Sequence, residues 1–127
     1  MKTTAIFTTR TTLNECSKGL EFVSNGDGTC IVFGIGTCTD ADIKIPSVYN
    51  GEKVTSIAPV AFFGCSNLTS IMIPDSVTSI GWSAFDDCAG LTSISIPNSV
   101  TSIGKFAFRG CTSLKTITMG NGISSKF

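Results

Sequence analysis

The chain of 127 residues contains no histidine. Histidine is the commonest general base near neutral pH and the commonest transition-metal ligand, so Ser-His-Asp and Cys-His catalytic arrangements and mixed Cys/His zinc sites cannot be built here. Charge is scarce as well. Charged residues make up 14% of the chain, and 9 Lys+Arg balance 9 Asp+Glu, leaving no net charge to mark a nucleic-acid-binding surface. No apolar run approaches the ~18 residues of a spanning helix, and no signal peptide is visible in residues 1–20. These absences disfavour metal-free hydrolysis, nucleic-acid binding and membrane insertion. They assign no catalytic, cofactor-binding or metal-binding residue.

What stands in place of charge is hydroxyl. Ser and Thr supply about a quarter of the residues, while 42% are apolar. Their order is periodic. VTSIAPVAFFGCSNLTSIMIPDS (54–76), VTSIGWSAFDDCAGLTSISIPNS (77–99) and VTSIGKFAFRGCTSLKTITMGNG (100–122) align at a constant step of 23 residues. Eight positions recur in type: Val54, Val77 and Val100; Ile57, Ile80 and Ile103; Ala61, Ala84 and Ala107; Phe62, Phe85 and Phe108; Cys65, Cys88 and Cys111; Leu68, Leu91 and Leu114; Ile71, Ile94 and Ile117; Ile73, Ile96 and Met119. They are expected to face inward.

A 23-residue period is too long for a heptad, too short for ankyrin or tetratricopeptide repeats, and falls within the range of leucine-rich repeats. In each unit Leu-x-x-Ile-x-Ile is β-branched and stops at Pro74 or Pro97, which cannot donate to a ladder, so it predicts one short strand. Val-Thr-Ser-Ile predicts a second, shorter strand, and Ala-Phe-x-x-Cys between them is too short for a stable helix. One coil cannot bury its own apolar face, and stacking closes each coil on the next. The predicted fold is mainly β: a right-handed leucine-rich-repeat solenoid of short parallel strands with an N-terminal β-hairpin cap. The hairpin is read from Leu20–Val23 and Thr29–Phe33 flanking Asn25-Gly26-Asp27-Gly28. That loop reads as a turn, since it lacks the later ligands and terminal Glu of a calcium loop. The expected organisation is a poorly ordered arm (1–18), cap and degenerate first coil (19–53), three repeats (54–122), and a tail or truncated next coil (123–127).

The run GLEFVSNGDGTCIVFGIGTCTDADIKIPSVYNGEKVTSI, followed by units of the form VTSIGxxAFxxCxxLTSIxIPxS, resembles the BspA-like leucine-rich repeat family over residues 19–122. The resemblance implies a non-enzymatic recognition module of a surface or secreted protein. Its expected partner is a protein, such as a host surface or matrix protein, and its location extracellular or at the cell surface. No catalytic residue carries over. Ala58, standing where later coils have Gly81 and Gly104, and Gly120, standing where earlier coils have Pro74 and Pro97, depart from the pattern.

The period also governs the cysteines. Cys65, Cys88 and Cys111 stack with parallel Cβ vectors, which favours buried thiols over disulfides, and Cys38 is expected to join the ladder. Cys16 and Cys30 lie outside it; free thiols and a bond between them both stay open. Asp86 falls beside Arg109 of the next coil, which predicts a surface ion pair, not an acid/base couple with Asp87. Asn67-Leu68-Thr69 is a glycosylation sequon by pattern only.

Function is left to the non-repeating surface. The columns Pro59/Trp82/Lys105, Val60/Ser83/Phe106 and Phe63/Asp86/Arg109 point outward in the repeat register. Trp82, Phe106, Phe63, Lys105 and Arg109 are the candidate partner-binding residues, since exposed aromatics next to cations compose binding hot spots. The competing reading packs these side chains on neighbouring coils. A second candidate is the end of the last coil, where Ile103, Phe108, Leu114, Ile117 and Met119, with Phe127 in the tail, would meet another chain in an end-to-end homodimer.

Overall fold

A computed structural model of the chain describes residues 16–119; residues 1–15, most of the expected arm, and 120–127, with the expected tail and Phe127, lie outside the described residues. The described residues form short strands and turns with no helix. In chain order the strands are β1 (Glu21–Ser24), β2 (Thr29–Gly34), β3 (Asp42–Lys44), β4 (Val48–Tyr49), β5 (Glu52–Ile57), β6 (Ser70–Met72), β7 (Ser79–Ile80), β8 (Ser93–Ile96), β9 (Ser102–Ile103) and β10 (Thr116–Met119). The Leu-x-x-Ile-x-Ile segments become β6, β8 and β10, which stack in parallel with β3 in the order β10-β8-β6-β3. The Val-Thr-Ser-Ile segments contribute β5, β7 and β9 to the other sheet, ordered β1-β2-β5-β7-β9, with β4 pairing on β5. The register is the repeat itself: Ile71 lies beside Ile94, and Ile94 beside Ile117.

β1 and β2 form the expected antiparallel hairpin. Asp27 closes it, accepting hydrogen bonds from the Thr29 amide (3.1 Å) and hydroxyl (2.6 Å). β2 then runs parallel to β5, so the hairpin is the first rung of a sheet as well as its cover. The segment joining the first two coils folds into a second hairpin, β4–β5, turning at Asn50-Gly51. Tyr49 from this hairpin stacks on Phe22 of the first, with ring centroids 3.9 Å apart.

The inward positions of the second and third coils are buried as the period requires, except Cys65, whereas in the fourth coil only Val100 and Ala107 are buried. Val54, Val77 and Val100 are wholly buried, and Phe62, Phe85 and Phe108 stack at 5.3 and 5.5 Å with planes parallel within 3°. All six cysteines are free, including Cys16 and Cys30. Two of the ladder thiols have a role the spacing alone does not reveal. Cys88 Sγ donates to the Phe62 carbonyl and Cys111 Sγ to the Phe85 carbonyl, both at 3.0 Å, tying each coil to the one before. Cys65 and Cys111 are only partly buried, because Cys65 rests on the degenerate first coil and Cys111 belongs to the last coil of the described residues. Threonine hydroxyls make similar ties on the outside, Thr92 to the Thr69 carbonyl and Thr78 to that of Thr55.

Candidate binding surface

The turn run between the two strands of each coil decides which side chains reach solvent. Its amides alternate between two kinds of partner. In the second coil Ala61, Phe63 and Cys65 donate three residues back, to Ala58, Val60 and Phe62, while Val60, Phe62 and Gly64 donate forward to Trp82, Ala84 and Asp86 of the next coil. The third coil repeats this with Ser83, Phe85 and Asp87 donating to Lys105, Ala107 and Arg109. The turns bring Val60, Ser83 and Phe106 to φ of 54°, 54° and 64°, as the third residue of a type II turn requires. Glycine is the usual occupant; here a β-branched residue, a serine and an aromatic hold it, because inter-coil bonds on either side fix the backbone.

These tight turns push their tips outward. Trp82 is 56% exposed, Phe63 53%, Phe106 50% and Val60 46%, so each tip keeps about half of its surface in solvent. Phe33, which in the register pairing Val32 with Ile57 falls beside Ala58, is exposed as well. Neither Val60 nor Phe33 stood out in the sequence as a site residue.

Lys105 and Arg109 lie with Phe106 on the fourth coil. Arg109 pairs with Asp86 through two hydrogen bonds, Nε to Oδ1 at 3.2 Å and Nη2 to Oδ2 at 2.7 Å. The expected surface ion pair is thus half-sunken: the Asp86 side chain is 5% exposed and that of Arg109 58%. Hydrogen bonding from Arg109 holds the Asp86 carboxyl below the usual carboxylate range, against the opposing effect of desolvation. So fixed, the guanidinium lies 4.3 Å from the Phe106 ring centroid, with Lys105 Nζ 5.9 Å from the same ring. The turn face is therefore apolar at the second coil and basic at the fourth.

The outer face of the β3–β6–β8–β10 sheet is of different character. Two open grooves of ≈ 790 and ≈ 820 Å³ run over it, sharing Cys16, Lys44, Met72, Ser95 and Thr118. Asp42 at one edge accepts from Ser70 (2.6 Å) and Thr69 (3.1 Å), which lower its carboxyl pKa. Among the described residues no three Cys, Asp or Glu side chains gather as a metal site would need.

The end candidates occupy the fourth coil. Ile94 is 2% exposed, while its counterpart Ile117 is 36% exposed; Ile103, Phe108, Leu114 and Met119 are partly buried, although their counterparts one coil earlier are buried. Among the described residues no strand follows β9 or β10 in either sheet.

Residues 37–126 match, in six copies, the family described as the BspA type leucine rich repeat region. The chain belongs to this family. No curated protein matches it. Among solved structures, the chain is similar to the leucine rich repeat protein of T. pallidum, 30% identical over 81% of this chain and 51% of that one, with a TM-score of 0.75. A leucine rich cell surface protein of Faecalibacterium prausnitzii is 30% identical over 84% of this chain and 32% of that one, TM-score 0.68. A leucine-rich repeat protein of Bacteroides capillosus is 28% identical over 84% of this chain and 91% of that one, TM-score 0.70. The chain spans about half the length of the first relative and about a third of the second. The BspA-type match starts at Thr37, inside the coil that reads as degenerate, and covers every candidate residue of the turn face except Phe33. No helix of the described residues is long and apolar enough to cross a membrane.

Proposed function

We propose that this BspA-type repeat is a protein-recognition module of a surface or secreted protein, and that its turn face meets the partner. One observation carries the reading: four large apolar side chains, Val60, Phe63, Trp82 and Phe106, stand about half-exposed on one side of a hydrogen-bonded coil stack. Side chains on so constrained a backbone lose little conformational freedom on binding, which is what makes rigid aromatic tips effective anchors. That the F. prausnitzii neighbour is a cell surface protein supports an exposed location. No acid/base pair is formed by Asp86, whose carboxylate is committed to Arg109.

The test is a panel of immobilised extracellular-matrix and cell-surface proteins probed with the full chain. Any protein retained is probed again with the Trp82→Ala/Phe106→Ala variant and with a Met72→Ala/Ser95→Ala variant of the sheet face. Loss with the first pair alone supports the turn face. Retention with the first pair, or loss only with the second, contradicts it.

A second reading is end-to-end association through the fourth coil, favoured by the partial exposure of Ile103, Phe108, Leu114, Ile117 and Met119 and by β9 and β10 having no further strand beside them among the described residues. Light scattering over a wide concentration range tests it. A concentration-dependent dimer abolished by Ile117→Lys supports it, and a monomer throughout removes it.

A further inference from the structure

The turn face is graded, not uniform. At the second coil Pro59, Val60 and Phe63 present no charge; at the third the turn run carries exposed Trp82 and an Asp86 whose carboxylate is sunken and taken by Arg109; at the fourth Lys105 and Arg109 flank Phe106. The other carboxylate of the turn run, Asp87, shares its column with Gly64 and Gly110, at the opposite end of the run from Lys105. Among the described residues Lys105 has no carboxylate partner; its ammonium lies only against the Phe106 ring. Arg109, stacked and clamped, keeps a guanidinium edge in solvent.

From this gradient we infer that the occupant of the turn face is a linear segment of a partner protein carrying apolar side chains followed or preceded by an Asp or Glu, laid along the stack with its carboxylate over the fourth coil. The inference rests on the turn face being the binding surface and adds the chemistry of what binds there. Rungs of a parallel stack are ~4.8 Å apart, so the second and fourth coils are separated by about 10 Å, a span that about three residues of extended chain cover. The apolar residue would bury against Val60, Phe63 and Trp82. The carboxylate would meet Lys105 and the free edge of Arg109, where Phe106 excludes water from one side of both cations. Asp86 acts as a positioning residue, since it fixes the guanidinium without presenting its own charge.

A displayed library of random linear peptides, selected on the complete chain, tests this. The retained peptides are expected to carry Asp or Glu within a few positions of Trp, Phe or Leu, to bind on the order of fivefold more weakly to Lys105→Gln, and to weaken further with added salt. Lys105→Glu should shift the selected pool toward Lys and Arg. Peptides that bind, are lost with Trp82→Ala/Phe106→Ala, yet show no acidic preference and no response to Lys105→Gln overturn the inference and leave the turn-face reading intact. Peptides bound equally well by the double aromatic variant overturn both. Failure to enrich any peptide overturns the inference as well. Lys105 is exposed and Trp82 more than half so, and unchanged circular dichroism spectra confirm that the variants are folded.

Discussion

Replacing Phe85 by alanine should cost far more than the same change at Phe108, although the two occupy the same place in the repeat. Phe85 is wholly buried and stacks on both sides, 5.3 Å from Phe62 and 5.5 Å from Phe108. Burying a Phe side chain is worth about 1.5–3 kcal/mol. Each aromatic pair adds about 0.5–1.5 kcal/mol, and Phe85 has two. Together these give about 2.5–6 kcal/mol, which brackets the 3–5 kcal/mol typical of Phe→Ala in a core. Phe108 also stacks on Phe85 but is only partly buried, so a smaller loss is expected, roughly 1.5–3 kcal/mol. Urea titration followed by circular dichroism, with the variants compared under one set of conditions, measures both. Equal losses at the two positions, or a loss below about 1 kcal/mol at Phe85, would refute the nearest-neighbour account of the stack.

Three further outcomes are expected. Gly104→Ala should destabilise by about 1–3 kcal/mol, because its Cβ would come within 2.6 Å of Trp82 Cα and 2.7 Å of the Gly81 carbonyl carbon, backbone that cannot yield without parting two coils; the same urea titration reads it. Val60→Asn should stabilise by about 0.5–1 kcal/mol, since Asn tolerates φ > 0 and Val60 is exposed enough to lose little burial; a lower urea midpoint would contradict the strain. Desolvation pushes the Cys88 thiol up to about 12, whereas in the unfolded chain it titrates near ~8.5, so the unfolded state loses this proton first as pH rises. The contribution of Cys88 is complete below that lower value and is lost progressively toward the upper one. The urea midpoint should therefore fall between about pH 8.5 and pH 11, and fall less in Cys88→Ala.

Periodicity made the core legible. A 23-residue step with one residue type at Val54, Phe62 and Leu68 leaves a single way to stack, and the buried set follows from it. The Asp86–Arg109 pair was legible for the same reason: residues one period apart are neighbours. What the period cannot convey is conformation that conflicts with local preference. Nothing in Val60, Ser83 or Phe106 signals φ > 0; that geometry comes from amides bonded alternately within and between coils, a property of the stack and not of any residue. The exposure of Val60 and Phe33 and the contact of Arg109 with Phe106 follow from the same turns and their register. The thiol bonds of Cys88 and Cys111 were hidden too, because a repeating cysteine looks like a small apolar filler until the facing carbonyl is placed.

Trp82 is the chain's one tryptophan and stands at the centre of the proposed surface, so its emission reports directly on whether that face is covered. The decisive measurement is Trp82 fluorescence and acrylamide quenching of the full chain, alone and saturated with a tryptophan-free partner or selected peptide. Recognition through the turn face predicts quenchable, long-wavelength emission in the free protein, and a blue shift with protection from acrylamide in the complex. Saturated binding that leaves both the emission and its quenching unchanged would place the partner elsewhere and contradict the account.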